Sequence, residues 1–152
     1  MIENLREHLQ QAHERGEYAA LLQLIPYAQL IGVECSRVGD DLLFRLPANK
    51  DNIGNPLLPA IHGGVIAGFM ELSAALHLLI LTGSPDVPKI IDFSLDYLRA
   101  GQFRDTWARC QVCRQGRRVA NVAVTAWQST EAEPIATARA HFKVDEPLKS
   151  SS

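Results

Sequence analysis

The residues best suited to chemistry lie in one stretch, Pro59 to Ile80, which reads PAIHGGVIAGFMELSAALHLLI. Its pattern is a long apolar helix opened by His62-Gly63-Gly64 and interrupted by one carboxylate, Glu71. The first N–H groups of a helix are unpaired and carry the positive end of its dipole. Glycines let a ligand approach that backbone closely. Such a corner suits a carbonyl oxygen that gains negative charge, as in acyl transfer. His62 stands just outside it, able to donate or accept a hydrogen bond. A carboxylate among apolar side chains is costly to keep ionised, so burial of Glu71 would raise its pKa and suit it to act as base or nucleophile. Close packing of the glycine pair, and a Glu71 satisfied by an amide or an arginine, is the alternative reading.

Spacing adds a constraint. Nine residues separate His62 from Glu71, about two and a half turns and roughly 13 Å of rise. The two side chains leave opposite sides of the helix. To serve one reaction, the Glu71 of one subunit must meet the His62-Gly63-Gly64 of another.

Other reactive residue types read as structural. His77 lies off the Glu71 face, and His8, His13 and His141 read as surface residues. Cys110 and Cys113 form a lone C-x-x-C in a segment that alternates like a strand, so they point to opposite faces. No second pair completes a zinc site, and no metal is expected. A G-x-S-x-G nucleophile motif is missing.

The elements that must position these residues follow from periodicity. Residues 3–15 predict an amphipathic helix with Leu5, Leu9 and Ala12 on its apolar stripe, ended by Gly16. A second short helix is predicted over 17–24, stopped by Pro26. Ile31 to Arg37 and Leu42 to Leu46, joined by Gly39-Asp40-Asp41, predict a hairpin. Residues 48–61 read as loop. The long helix runs from Gly63 to about Leu81 and is closed by Thr82-Gly83-Ser84-Pro85. Four strands follow: 91–97, 105–114, 117–128 and 135–144. In the first, Ile91, Phe93, Leu95 and Tyr97 alternate with polar residues; in the last, Ala136, Ala138, Ala140, Phe142 and Val144 take one face. One long helix and a run of antiparallel strands predict an α+β domain with the sheet packed on that helix. A helix apolar nearly all round needs cover on most sides, and a second copy of the chain is the simplest candidate.

At 152 residues a single domain, 1–152, is expected, with an N-terminal helical segment over 1–25 and a flexible tail over 147–152. A net charge of −2 argues against a nucleic-acid binder. Glu71, Ser73 and His77 interrupt the one stretch that approaches a membrane span, so no membrane association is expected. Met1-Ile2-Glu3-Asn4 leads into a polar run unlike a secretory leader. With three cysteines, that reads as reduced thiols in the cytoplasm.

The run from Gly54-Asn55-Pro56 through His62-Gly63-Gly64-Val65 to Glu71 resembles the hotdog-fold acyl-CoA thioesterases, in particular the PaaI type related to 4-hydroxybenzoyl-CoA thioesterases. Ser94-Leu95-Asp96-Tyr97-Leu98-Arg99 is similar to that family's strand ending in an arginine. Gln115-Gly116-Arg117-Arg118-Val119-Ala120 is similar to its Gly-Arg hairpin. The resemblance spans roughly Leu24 to Val144. It implies an antiparallel sheet wrapped around a long helix, paired as a homodimer or tetramer with active sites at the dimer interface.

It also implies roles. The Gly63 N–H would polarise the thioester carbonyl, a partner's Glu71 would attack it or activate water, and His62 would help to bind the acyl group or carbonyl. Asn55, Gly64, Lys89, Arg99, Gly116, Arg117 and Arg118 would bind the acyl-CoA substrate, with CoA lying near the Arg99 strand end and the 116–117 turn. No separate cofactor is implied. Arg114, Arg117 and Arg118 around one turn are a plausible phosphate clamp, with a solvated hairpin tip as the alternative. The chain departs from the pattern twice. The family's amide falls at Pro56, with Asn55 one place earlier, and a hydroxyl residue of some relatives is Ala75. These departures leave a second function open, a non-catalytic acyl-CoA-binding sensor or scaffold. Phe69, Met70, Phe93 and Tyr97 are candidates for an acyl pocket, although most read as core.

Overall fold

The computed structural model describes residues 2–55, 57, 59–83, 88–115 and 117–144, with the side chains of Ile2, Glu3, Asn55, Arg114 and Gln115 outside that description. Pro56, Gly116, Ser84, Pro85 and the tail over 147–152 therefore lie outside the described residues.

The N-terminal segment forms three helices, not two. Helix α1 (Ile2–Arg15) buries Leu9 and Ala12 as its stripe requires. Helix α2 (Ala19–Gln23) is short. Pro26, read from sequence as a stop, instead opens α3 (Pro26–Ile31). Proline suits the first helical position because the N–H it lacks has no partner there. Gly32 closes α3 at φ 84°, a left-handed conformation that glycine adopts without strain. Ile31 therefore belongs to a helix, and strand β1 (Glu34–Val38) begins later than its apolar residues suggested.

Strand β2 (Asp41–Leu46) pairs with β1 as the expected hairpin. The expected loop over 48–61 contains a one-turn helix at Lys50–Asn52 and a small hairpin, β3 (Ile53–Asn55) with β4 (Ala60–Ile61). Strands of two or three residues show no periodicity, which is why sequence reading missed them. Helix α4 (Gly63–Thr82) follows, then β5 (Lys89–Tyr97), β6 (Thr106–Gln115), β7 (Val119–Trp127) and β8 (Ala136–Lys143).

Six strands form one antiparallel sheet in the order β1-β2-β6-β7-β8-β5, and α4 packs on its inner face. This is the hotdog fold. Inward residues of the sheet, among them Phe44, Val122, Val124, Ala138 and Phe142, meet Phe69, Met70, Leu76 and Leu78 of α4. Phe69 and Met70 are wholly buried and belong to the core. Cys110 is buried and Cys113 exposed, on opposite faces as the alternation required. Burial pushes the Cys35 thiol up to about 12, with Arg37 opposing, and raises Cys110 as well.

Two expectations about cover change. The N-terminal helices α1 and α3 also pack on α4, so a second copy of the chain is not the only cover for its outer side. The alternating strand β5 does not bury its apolar face: Ile91 and Tyr97 are 55% and 54% exposed, and Phe93 and Leu95 are half-buried. As the last strand of the sheet, β5 has β8 on one side and an open edge on the other. By length and mean hydropathy, 1.9, α4 could cross a membrane despite its polar interruptions; here it is the central helix of the fold.

Candidate active site

The start of α4 is tightly determined. His62 is its N-cap, with Nδ1 accepting from the Gly64 N–H at 2.9 Å. The His62 carbonyl accepts from Val65 and Ile66 at 2.9 and 3.2 Å. Its own N–H donates to the Asn52 carbonyl at 2.8 Å, and the Ile61 N–H donates to the Gly101 carbonyl at 2.8 Å. A Cβ on Gly54 would lie 2.9 Å from the His62 Cα, so only glycine lets β3 approach this corner.

The two glycines are not equivalent. The Gly64 N–H is occupied by His62. The Gly63 N–H makes no hydrogen bond among the described residues, while its carbonyl accepts from the Tyr97 hydroxyl at 2.6 Å. Gly63 is thus the free donor, pinned from its other side by β5. It opens onto a cleft of about 410 Å³ lined by Ile61, Ile66, Tyr97, Arg99 and Gly101 among others.

Glu71 faces a different cleft of about 340 Å³, lined by Tyr27, Gly68, Leu72, Ala75, Pro88, Ile90 and Phe142. Spacing predicts that His62 and Glu71 leave opposite sides of the helix; within one chain Gly63, the residue after His62, and Glu71 open onto separate clefts. The expectation of full burial does not hold. Glu71 is half-buried, because its side of α4 lies over the cleft and not against the sheet. Its carboxylate has no hydrogen bond or ion pair among the described residues, so no arginine or amide satisfies it there.

The basic candidates fall into two groups. Lys89 pairs in register with Lys143, and Lys143 with Val119. The Arg118 carbonyl accepts from Val144 at 2.8 Å. Exposed Lys89, Arg117, Arg118 and Lys143 therefore share one end of the sheet, the end at which Pro88 and Ile90 border the Glu71 cleft. Gly116 lies outside the described residues, as does the Arg114 side chain. Arg99 is at the other end of β5, beside Gly63, and its Nη1 donates to the Pro134 carbonyl at 2.7 Å. A strand the length of β5 separates the groups by roughly 26 Å. The expectation that Arg99 and the 116–118 turn lie along one CoA-binding surface is therefore corrected for a single chain. Asn55 pairs with Ala60 through its backbone.

The chain is similar to known proteins throughout this region. A crystal structure from Chromobacterium violaceum is 40% identical, with a TM-score of 0.76, covering 91% of this chain and 96% of that one. The model of the thioesterase superfamily matches residues 58–135, just over half of the chain. The chain belongs to the thioesterase superfamily. A thioesterase from Haemophilus influenzae (19% identity, TM-score 0.74, 92% of this chain and 98% of that one) shares the fold. So does a phenylacetic acid degradation-related protein from Ralstonia eutropha (19%, 0.73, 90% and 99%). No curated protein matches the chain.

The superfamily match takes in Gly63, Glu71, Arg99, Arg117 and Arg118, and leaves out Tyr27 and Lys143. These last two, with the Tyr97 hydroxyl, are what sequence reasoning missed. Lys143 was visible as a cation on the wet face of the last strand. Tyr97 is legible in the sequence as an apolar strand residue and acyl-pocket candidate, but not as a hydroxyl donor to Gly63. Tyr27 was hidden by reading Pro26 as a stop. Thioester hydrolysis is the class of chemistry that superfamily membership brings. The arrangement offers it a free backbone donor and an unpaired carboxylate, each in an open cleft.

Proposed function

We propose that the protein is an acyl-CoA thioesterase that works as a homodimer or a pair of dimers. The carrying observation is that Glu71 and the Gly63 N–H, both without a partner among the described residues, open onto separate clefts that border opposite ends of β5. Antiparallel pairing of two β5 edges brings the Tyr97–Arg99 end of each strand to the Lys89 end of the other. The Glu71 of one subunit then faces the partner subunit's Gly63. Arg99 of the partner subunit joins Lys89, Arg117, Arg118 and Lys143 along the path of the CoA phosphates. Lys89 directly opposite Lys143 supports an anion site, since like charges across a ladder repel unless something neutralises them.

In the reaction, the Gly63 N–H receives the thioester oxygen as it becomes negative. Glu71 either bonds to the carbonyl carbon, giving an anhydride that water then hydrolyses, or takes a proton from the water that attacks. In both routes the C–S bond breaks and the CoA thiolate takes up a proton. The apolar walls formed by Leu72, Ala75, Ile90 and Phe142 suit an aryl or medium-length acyl group.

The test is release of free thiol from a panel of acyl-CoAs by wild type and Glu71→Ala. Glu71→Ala is expected to lose at least a hundredfold in kcat, since it removes the group that reacts. Full activity in that variant would sink the mechanism. Ala75 on the cleft wall gives the one specific reason for a second reading, acyl-CoA binding without turnover. Calorimetry showing tight CoA-ester binding with no thiol release would favour it.

A further inference from the structure

Among the described residues, the Glu71 cleft is lined by one other polar side chain, and it comes from the N-terminal segment. Among the residues that line it, Leu72, Ala75, Pro88, Ile90 and Phe142 offer no side-chain donor or acceptor, and Gly68 offers no side chain. Tyr27 of α3 is the exception. Its hydroxyl lies against Gly68 so closely that a Cβ there would overlap it. That hydroxyl has no hydrogen-bond partner among the described residues. Tyr27 thus fits a notch in α4 that exists only because residue 68 is glycine, with its oxygen inside the space a Cβ would need.

This bounds its distance from the carboxylate. Positions 68 and 71 are three apart on one helix, so they share a face with Cβ atoms about 5–6 Å apart. Oη, close to that Cβ position but not on it, therefore stands roughly 4–8 Å from the Cβ of Glu71, and the carboxylate extends two bonds beyond it. A gap of this size between two polar groups accepts a bridging water. With Ala75 one turn beyond Glu71, no hydroxyl is offered from the other side among the described residues.

We propose that Tyr27 is a catalytic residue, holding the water that hydrolysis consumes. The inference rests on the thioesterase reading above. One proton of the water points to the Glu71 carboxylate and the other to Tyr27 Oη, which leaves a lone pair for the carbonyl carbon. As the new C–O bond forms, the first proton passes to Glu71 and the second hydrogen bond to Tyr27 persists. Tyr27 gains and loses no proton.

The experiment compares wild type, Tyr27→Phe, Glu71→Gln and the double variant on one acyl-CoA that wild type turns over, with thermal melts of each. Tyr27→Phe keeps the ring in the Gly68 notch and removes only the oxygen. It is expected to lower kcat by ten- to a hundredfold with KM and melting temperature unchanged. Because both groups hold one water, the double variant is expected to be no slower than Glu71→Gln alone. Wild-type kcat in Tyr27→Phe, or losses that multiply in the double variant, would overturn the role of Tyr27 and leave the thioesterase reading standing. A wild type inactive on every thioester would overturn both. Should Tyr27→Phe melt early, Tyr27→Leu, lacking ring and hydroxyl, separates the causes: equal kcat losses with very different melting temperatures support the hydroxyl, and losses that track melting overturn it.

Discussion

Residue types alone single out Glu71 and the glycine pair as the places to look, because an acid in an apolar helix and a glycine corner are costly patterns without a use. Histidines were harder to read. His13, read as a surface residue, bonds through Nδ1 to the Ile80 carbonyl at 2.8 Å and so supports the end of α4. His141 pairs with Asp92 across two strands at 2.6 Å. Both partners are more than forty positions away, beyond any local pattern. His77 was read correctly as structural, and its structure carries a pH consequence. Burial lowers its pKa below the ordinary 6.5, with Asp41 opposing, and its Nδ1 is buried without a partner among the described residues. The unfolded chain therefore binds a proton that the folded chain refuses. Stability is expected to fall as pH drops below 6.5 and to level off once the folded-state value is passed. His77→Leu should flatten that slope in thermal melts taken from about pH 5 to about pH 8. An unchanged slope would assign the acid sensitivity to other groups.

At the scale of elements, long periodic segments were legible and short ones were not. Helix α4 and the four strands after it declare themselves over eight or more residues each, and the register of β8 puts the alternating alanines inside as read. Helix α3, β3 and β4 are set by tertiary contact and by a proline whose two meanings, stop and start, look alike in one sequence. The start of α4 gives a sharp prediction. Gly63 is the first residue of the helix, where proline is tolerated and only the N–H is lost. Gly63→Pro is expected to keep the circular dichroism of the wild type and to lower kcat on the order of 10²–10³-fold, the effect of deleting one oxyanion donor. The nearby Tyr97 hydroxyl, 3.2 Å from a Cβ at that position, must shift by a few tenths of an ångström. Unimpaired thiol release in a folded Gly63→Pro protein would exclude the N–H from the reaction.

On the scale of the whole molecule, the sequence lists the candidate residues and does not show their grouping. Proximity of Arg99 to the 116–118 turn could not be read from a list of motifs, because the order of strands decides it. The sheet sends Arg99 to one end and Lys89, Arg117, Arg118 and Lys143 to the other. Replacing both Lys89 and Lys143 by Glu is expected to raise KM for CoA esters on the order of tenfold, corresponding to about 1.4 kcal/mol of lost phosphate attraction. The same variant should leave the kinetics of a truncated thioester without phosphates unchanged. An equal loss on both substrates would mean that the cluster supports the fold and not the nucleotide.

The contact between His62 and Gly64 has one more consequence, in the direction in which protons can travel. A ring nitrogen that accepts from a backbone N–H carries no hydrogen itself, so neutral His62 is held as the tautomer protonated on Nε2. Facing outward, that nitrogen is already filled. The imidazole can hand a hydrogen bond to an acyl oxygen, but it has no lone pair to offer a water. Two duties that one histidine could combine are thereby kept apart, and in the proposed reaction proton removal is left to a carboxylate.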